Sequence, residues 1–140
     1  MKTLKLKILT PHRKIFEGEV ISLTLPTKEG EITVLPEHVP LFSLLDEGVM
    51  IFKQTNGKEE YYGIGGGYFE TDGKEATVLV SRAFGHREAD EKTINEAIEK
   101  AKELLKKARD LNERKQAEVL LRRSTFDLKL LRRLRRRRKN

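Results

Sequence analysis

The 140-residue chain has no cysteine. Disulfides and thiol chemistry are therefore excluded, and a reducing compartment is the simpler setting. No stretch approaches the roughly 18 apolar residues of a membrane span. The opening MKTLKLKILT alternates from its first residues and holds no continuous apolar core, so it does not read as a signal peptide. Proline is scarce, and between His86 and Asn140 there is neither glycine nor proline. Nothing covalent in that stretch interrupts a helix.

Signatures of chemistry are missing as well. There is no GK[ST] phosphate loop and no G-x-S-x-G elbow. Gly63, Gly65 and Gly67 do not fit G-x-G-x-x-G, because position 68 is Tyr68. A strand-like segment follows them, so no helix N-terminus is offered to a phosphate, and a tight bend or close strand approach is expected. His12, His38 and His86 are scattered without metal-ligand spacing. The carboxylates fall on strand exteriors, in turns or in helical pairs, and none stands out as an acid–base couple. The expectation is a non-enzyme with no catalytic residue, no metal and no cofactor.

What is present divides into two halves. Up to about Ala83 the apolar period is two: Leu4, Leu6 and Ile8, then Ile21, Leu23 and Leu25, then Val78 and Val80. Turn signals punctuate the strands at Thr10-Pro11, Pro26-Thr27, Glu29-Gly30, Asn56-Gly57 and Asp72-Gly73. Beyond AFGHREAD the spacing becomes helical: Ile94, Ala97, Ile98, Ala101, Leu104, Leu105, Ala108 and Leu111 share one face. Asp90 is the natural N-cap, with Thr93 and Glu96 as an alternative capping box. The seam stops over Asn112–Gln116 and resumes at Ala117, Leu120, Leu121, Ser124, Leu128, Leu131 and Leu134. Two amphipathic helices joined near Asn112 follow, able to form a hairpin or a single rod. The fold class is α+β with segregated halves: a β-sandwich over residues 1–85 and a two-helix unit over 86–140.

Charge is unevenly placed. The net charge is +7, yet residues 1–85 hold 10 Lys/Arg against 12 Asp/Glu, residues 86–120 hold 9 against 9, and residues 121–140 hold 10 against 1. A partner for the last segment is expected to be acidic. One segment fits neither period: in Pro36-Glu37-His38-Val39-Pro40 two prolines fix φ and interrupt pairing, ahead of Leu41 and Phe42. It reads either as a cover for the core or as a stiff, preformed docking surface.

The stretch GEITVLPEHVPLFSLLDEGVMIF resembles the signature of the epsilon subunit of rotary F-type ATP synthases, with Gly30, Ile32, Val34, Leu35, Pro36, His38, Pro40, Leu41 and Gly48 in the pattern. GGGYFE and ATVLVSRA match in order and spacing. The resemblance implies a flattened β-sandwich of about ten strands followed by an antiparallel helix hairpin. It also implies a central-stalk role in which the sandwich binds the gamma subunit and the c-ring. Glu31 falls where the family meets the c-ring loops. His38, with Pro36, Pro40, Leu41 and Phe42, falls in the region facing gamma or the ring. The helices of the family can extend toward the alpha/beta hexamer and inhibit ATP hydrolysis, their basic residues meeting an acidic loop of beta. Arg122, Arg123, Arg132, Arg133 and Arg136 are the residues expected there. Some bacterial members bind ATP through I/L-D-x-x-R-A; here Asn95 replaces Asp and Ile98 replaces Arg, so little or no ATP binding is expected. The implied location is the cytoplasmic face of the bacterial plasma membrane, with membrane contact only through the complex.

The competing reading is a basic nucleic-acid-binding module with an arginine-rich tail, whose unbroken basic run is Arg135 to Lys139. Against it, the sandwich half is acidic and no aromatics interleave with the arginines, Phe126 standing alone. No nucleic acid is expected as a partner.

Overall fold

The computed structural model describes residues 1–85 and 91–139. Among these residues, nine strands are followed by two helices. The strands are β1 (Leu4–Leu9), β2 (Lys14–Thr27), β3 (Gly30–Val34), β4 (Leu41–Leu45), β5 (Gly48–Gln54), β6 (Glu59–Ile64), β7 (Gly67–Thr71), β8 (Glu75–Val80) and β9 (Ala83–Gly85). The helices are α1 (Glu91–Lys107) and α2 (Leu111–Lys139).

The 14-residue β2 belongs to both layers of the sandwich. Its first half pairs with β1, which continues the layer through β8, β7 and β4. Its second half pairs with β3 on one side and β5 on the other, continuing to β6 and β9. Counted once in each layer, β2 makes two layers of five, which reconciles nine strands with the expected ten or so. All of these pairings are antiparallel except β1 with β8.

A register shift between Val20 and Ser22 marks where β2 changes layer. A bulge inserts one residue and reverses which side faces the core. Val20 is buried before it, and Leu23 and Leu25 are buried after it. Ile21, expected on the same face as Leu23, is only half-buried for this reason. Elsewhere the alternation holds: Leu4, Leu6, Ile8, Val78 and Val80 are at most 2% exposed. They share one core with Val34, Leu45, Met50, Phe52, Ile64 and Phe69. Each such side chain contributes about 1.5–3 kcal/mol. Phe52 also meets Phe16 at 4.5 Å and Tyr62 at 5.7 Å between ring centroids. The Pro26-Thr27 turn expected from sequence is instead the end of β2, and the chain reverses at Lys28-Glu29.

The helices form an antiparallel hairpin whose α2 lies against β5 and β6. The break falls at residues 108–110, earlier than the expected join near Asn112. Asp110 is the reason: its Oδ1 accepts from the Glu113 N–H at 2.8 Å, while Glu113 Oε2 accepts from the Arg109 N–H at 2.8 Å. This reciprocal cap starts a new helix at Leu111. The α1 cap expected at Asp90 lies outside the described residues. Thr93 does not cap, because α1 already begins at Glu91.

The seam of small and apolar residues is the hairpin interface. Ala101, Ala117, Ser124, Leu131 and Leu134 are buried along it. Leu104 and Leu111 lie near the hairpin turn and remain 44% and 66% exposed. Leu130 is buried too, although it lies off that seam.

Gly67 opens β7 where a Cβ would strike the Leu79 carbonyl oxygen and lie 2.7 Å from Val80 Cα. That is backbone, which cannot swing aside. Gly67→Ala is therefore expected to destabilise the sandwich by about 3 kcal/mol. Denaturant unfolding followed by tyrosine fluorescence checks this, and an unchanged midpoint refutes it.

Candidate functional site

Two surfaces carry the residues singled out from sequence. The first is the 35–40 loop with β4. The His38 N–H donates to the Leu35 carbonyl at 3.1 Å, closing a four-residue turn. Pro36 takes the second position, and Glu37 takes the third with φ +69°. Proline then positive φ is the type II pattern, with Glu37 where glycine is usual. The strain is held by the rest of the loop. The Glu37 N–H donates to the Gly73 carbonyl at 2.7 Å, and Lys2 Nζ lies 2.8 Å from its carboxylate. His38 Nδ1 is 2.7 Å from the Val39 carbonyl oxygen.

This turn leaves Leu35, Val39, Phe42 and Leu44 between 54% and 70% exposed. Phe42 and Leu44 are two apart on β4 and share its outer face. Phe42 stacks on Tyr68 of β7, with centroids 5.5 Å apart. Pro40, Leu41 and Phe42 line a hollow of about 510 Å³ with Glu70, Asp72, Glu75 and Thr77. Asp72 is held below its ordinary pKa, chiefly by the backbone N–H of Glu75 and then that of Lys74. An apolar patch rimmed by ionised carboxylates suits a partner that is apolar and basic.

The loop therefore brings Pro36, His38, Pro40, Leu41 and Phe42 together. Glu31 is not among them. It lies near the far end of β3, opposite Pro26, and enters the second surface.

The second surface is α2. Arg82, in the link between β8 and β9, reaches Asp127 at 2.5 Å and donates to the Arg123 carbonyl at 3.4 Å. This pair is mostly buried, with side chains 28% and 18% exposed. Burial pushes the Asp127 carboxyl above its ordinary pKa, and Arg82 offsets this only in part. Glu91 in the first turn of α1 receives Arg135 at 2.6 Å and Arg132 at 4.0 Å. Glu31 receives Arg137 bidentately, at 2.8 and 2.9 Å. Arg133 and Arg136 line a hollow of about 330 Å³ beside that pair, with Pro26, Gly48 and Val49.

Of the five arginines singled out from sequence, Arg132 is thus an internal partner of α1, and Arg133 and Arg136 border Glu31. Arg123 lends its carbonyl to Arg82, while Arg122 is exposed. Arg135, Arg137, Arg82 and Asp127 were not singled out. They sit inside a charge run or alone, and no spacing distinguishes them. Asn95 is exposed and Ile98 half-buried on α1.

The family is decided by comparison with known proteins. The family model described as ATP synthase, Delta/Epsilon chain, beta-sandwich domain matches residues 3–86. This chain belongs to the ATP synthase delta/epsilon family. ATP synthase epsilon chains resemble it through most of their length. That of Sulfurovum sp. is 41% identical over 108 residues, covering 77% of this chain and 84% of the relative. That of Nitratiruptor sp. is 43% identical over the same coverage. That of Wolinella succinogenes is 41% identical, covering 80% and 86%. Among solved structures, a chain of the Euglena gracilis mitochondrial ATP synthase, OSCP/F1/c-ring in rotational state 1, aligns with TM-score 0.62 and 25% identity. It covers 91% of this chain and 79% of that one. A chain from the Tetrahymena thermophila mitochondrial ATP synthase central stalk/c-ring shares the fold at TM-score 0.52 and 15% identity. No described helix is long and apolar enough to cross a membrane.

The raised pKa of Asp127 has a definite sign. Its carboxyl is harder to ionise with α2 docked than in water, so this group favours docking most below its ordinary pKa. That contribution is lost as pH rises through the raised value. The stability of wild type relative to Asp127→Asn is expected to increase between pH 7 and pH 4. Parallel denaturant titrations of both chains test it, and a difference that falls or stays flat with acid contradicts it.

Proposed function

We propose that this epsilon-family subunit links gamma to the c-ring in the central stalk and inhibits ATP hydrolysis through its two helices. The observation that carries the reading is the way the cationic hairpin is held. Leu130, Leu131 and Leu134 give it an apolar base, and exposed ion pairs tie its end to Glu31 and Glu91. Exposed pairs contribute roughly 0–1 kcal/mol each, so the arm is held loosely enough for an acidic partner to compete. The stiff 35–40 loop and its apolar patch supply the anchoring surface, through Pro36, His38, Pro40, Leu41 and Phe42. Glu31 supplies an acidic contact for the c-ring loops. Once released, α2 presents Arg122, Arg123, Arg132, Arg133 and Arg136 to an acidic loop of beta, where arginine forks match carboxylates well. The subunit itself is non-catalytic, and it works at the cytoplasmic face of the bacterial membrane as a peripheral part of the complex. Nucleic acid is not a partner in this reading, and family membership supports that choice.

ATPase assays of the reconstituted core complex test the inhibitory role. Replacing the five arginines with alanine, or ending the chain after residue 89, is expected to release inhibition while assembly persists. Equal inhibition by all three forms would reject the role.

The hairpin is proposed not to use ATP as a ligand. Asn95 and Ile98 stand where the ATP-binding pattern has Asp and Arg, and Ile98 is half-buried. Calorimetry on the isolated chain is expected to show no binding at micromolar ATP, and a micromolar affinity would overturn this.

A further inference from the structure

The 35–40 loop lies against a second turn, the one joining β7 to β8. That turn is closed by its own side chains. Thr71 Oγ1 accepts from the Gly73 N–H at 3.0 Å and donates to the Glu75 carbonyl at 2.7 Å. Asp72 Oδ1 accepts from the N–H groups of Lys74 and Glu75, each at 2.9 Å. Gly73, at φ +97°, is buried where the loop crosses it. A Cβ there would lie 2.6 Å from the His38 carbonyl oxygen, and 3.4 and 3.5 Å from Glu37 C and Cα. The Gly73 carbonyl accepts the Glu37 N–H at 2.7 Å. This bond bears on the shape of the loop. Type I and type II turns can share the bond that closes them, and they differ by a flip of the middle peptide. Here that peptide joins Pro36 to Glu37, and the flip would turn the Glu37 N–H to the other side. A residue with a Cβ in the third position favours type I, where its φ is negative. Glu37 is nevertheless at φ +69°, with its N–H on the Gly73 carbonyl.

We propose that Gly73 is a positioning residue for the docking loop: its carbonyl selects the type II turn, and its missing side chain lets the loop come close enough for that selection. The inference rests on the docking role given to the loop above. Gly73 acts through the loop, because a side chain at this position would point into the loop backbone. The same turn supplies Thr71, Asp72 and Glu75 to the hollow of about 510 Å³ that Pro40, Leu41 and Phe42 also line. One turn thus forms part of the docking surface and fixes the attitude of the rest. When the brace is lost, the Pro36–Glu37 peptide flips, the Pro36 carbonyl and the Glu37 side chain reorient, and a partner meets a different surface.

Nuclear magnetic resonance on the full chain reads the turn type. The Pro36 Hα lies close to the Glu37 N–H in type II and far from it in type I, so a strong Overhauser peak between them is expected in the wild type. Gly73→Ala is expected to abolish that peak and to speed exchange of the Glu37 amide. The His38 amide, bonded to Leu35 in either turn, should keep its protection. An unchanged peak in Gly73→Ala overturns the positioning role. The functional half uses a purified gamma–c-ring rotor as the probe. Gly73→Ala is expected to bind it roughly five- to a hundredfold more weakly, the range covered by the strain of one residue at positive φ. Adding Glu37→Gly, which adopts positive φ freely, should recover most of that loss. If Gly73→Ala does not fold, Glu37→Gly and Glu37→Val in the exposed loop carry the test. Both lose the carboxylate, but only valine resists positive φ. Weaker binding by the valine variant alone is expected, and equal affinities overturn the proposal. A lost peak in Gly73→Ala with unchanged rotor affinity also overturns it, since the shape of the loop would then not matter. A wild-type chain that does not bind the rotor overturns it together with the function proposed above.

Discussion

The arrangement depends on one contact: α2 lying on the outer face of β5 and β6. Gly63 lies beneath it. A Cβ there would meet the Phe84 ring at 3.0–3.1 Å and Leu130 Cβ at 3.5 Å. Leu130 closes onto the sheet over Gly63, and Leu131 and Leu134 are buried beside it on α2. One helix thus presents one flank to a sheet and the other to its neighbour. Three apolar side chains at about 1.5–3 kcal/mol each outweigh the exposed ion pairs in strength. The ion pairs act differently, because they join α2 to three separate elements: the β8–β9 link, α1 and β3. Hydrophobic contact holds the arm down, and paired charge fixes its register.

This division of labour suits the displaceable arm proposed above. An apolar seam is non-directional and is replaced by any comparable surface. Carboxylate forks are specific and exchange with other cations or anions at little cost when exposed. The mostly buried pair of Arg82 with Asp127 carries a desolvation penalty that its attraction does not fully repay, in line with the raised pKa of Asp127. The docked state is consequently held by a sum of moderate terms. A partner need supply only a similar sum to displace it.

The sandwich has the opposite character. A closed core, a bulged strand shared by both layers and a turn held at Glu37 make a preformed surface. Leu35 and Glu31 stand at opposite ends of β3, while Leu44 borders the acidic corner at Glu31, its carbonyl accepting from the Lys28 N–H at 3.1 Å. The loop and the corner thus offer two places for contact, which suits the link between gamma and the c-ring proposed above.

Period-two alternation, positive-φ turn chemistry and the 3–4 spacing after residue 86 made the two halves legible without coordinates, because each reports the geometry of a single local element. The PEHVP signature likewise identified its loop, since two prolines constrain φ wherever they stand. Local pattern failed where another element decided the outcome. Ile21 lost its place in the core to Val20 because β2 has to change layers. Asn112 lost the helix junction to Asp110 because a cap outweighs an interrupted seam. Leu130 was overlooked because it is buried against the sheet, where it lies over Gly63, 67 residues away. Within an almost uniform run of arginines, the choice of Arg135 and Arg137 over their neighbours was invisible, since identical side chains differ only in where the helix turn aims them. Elements, class and family belong to the sequence, because covalent and local constraints set them. The pairing of charges across the hairpin and the sheet belongs to the tertiary structure, because a carboxylate selects its arginine by distance alone.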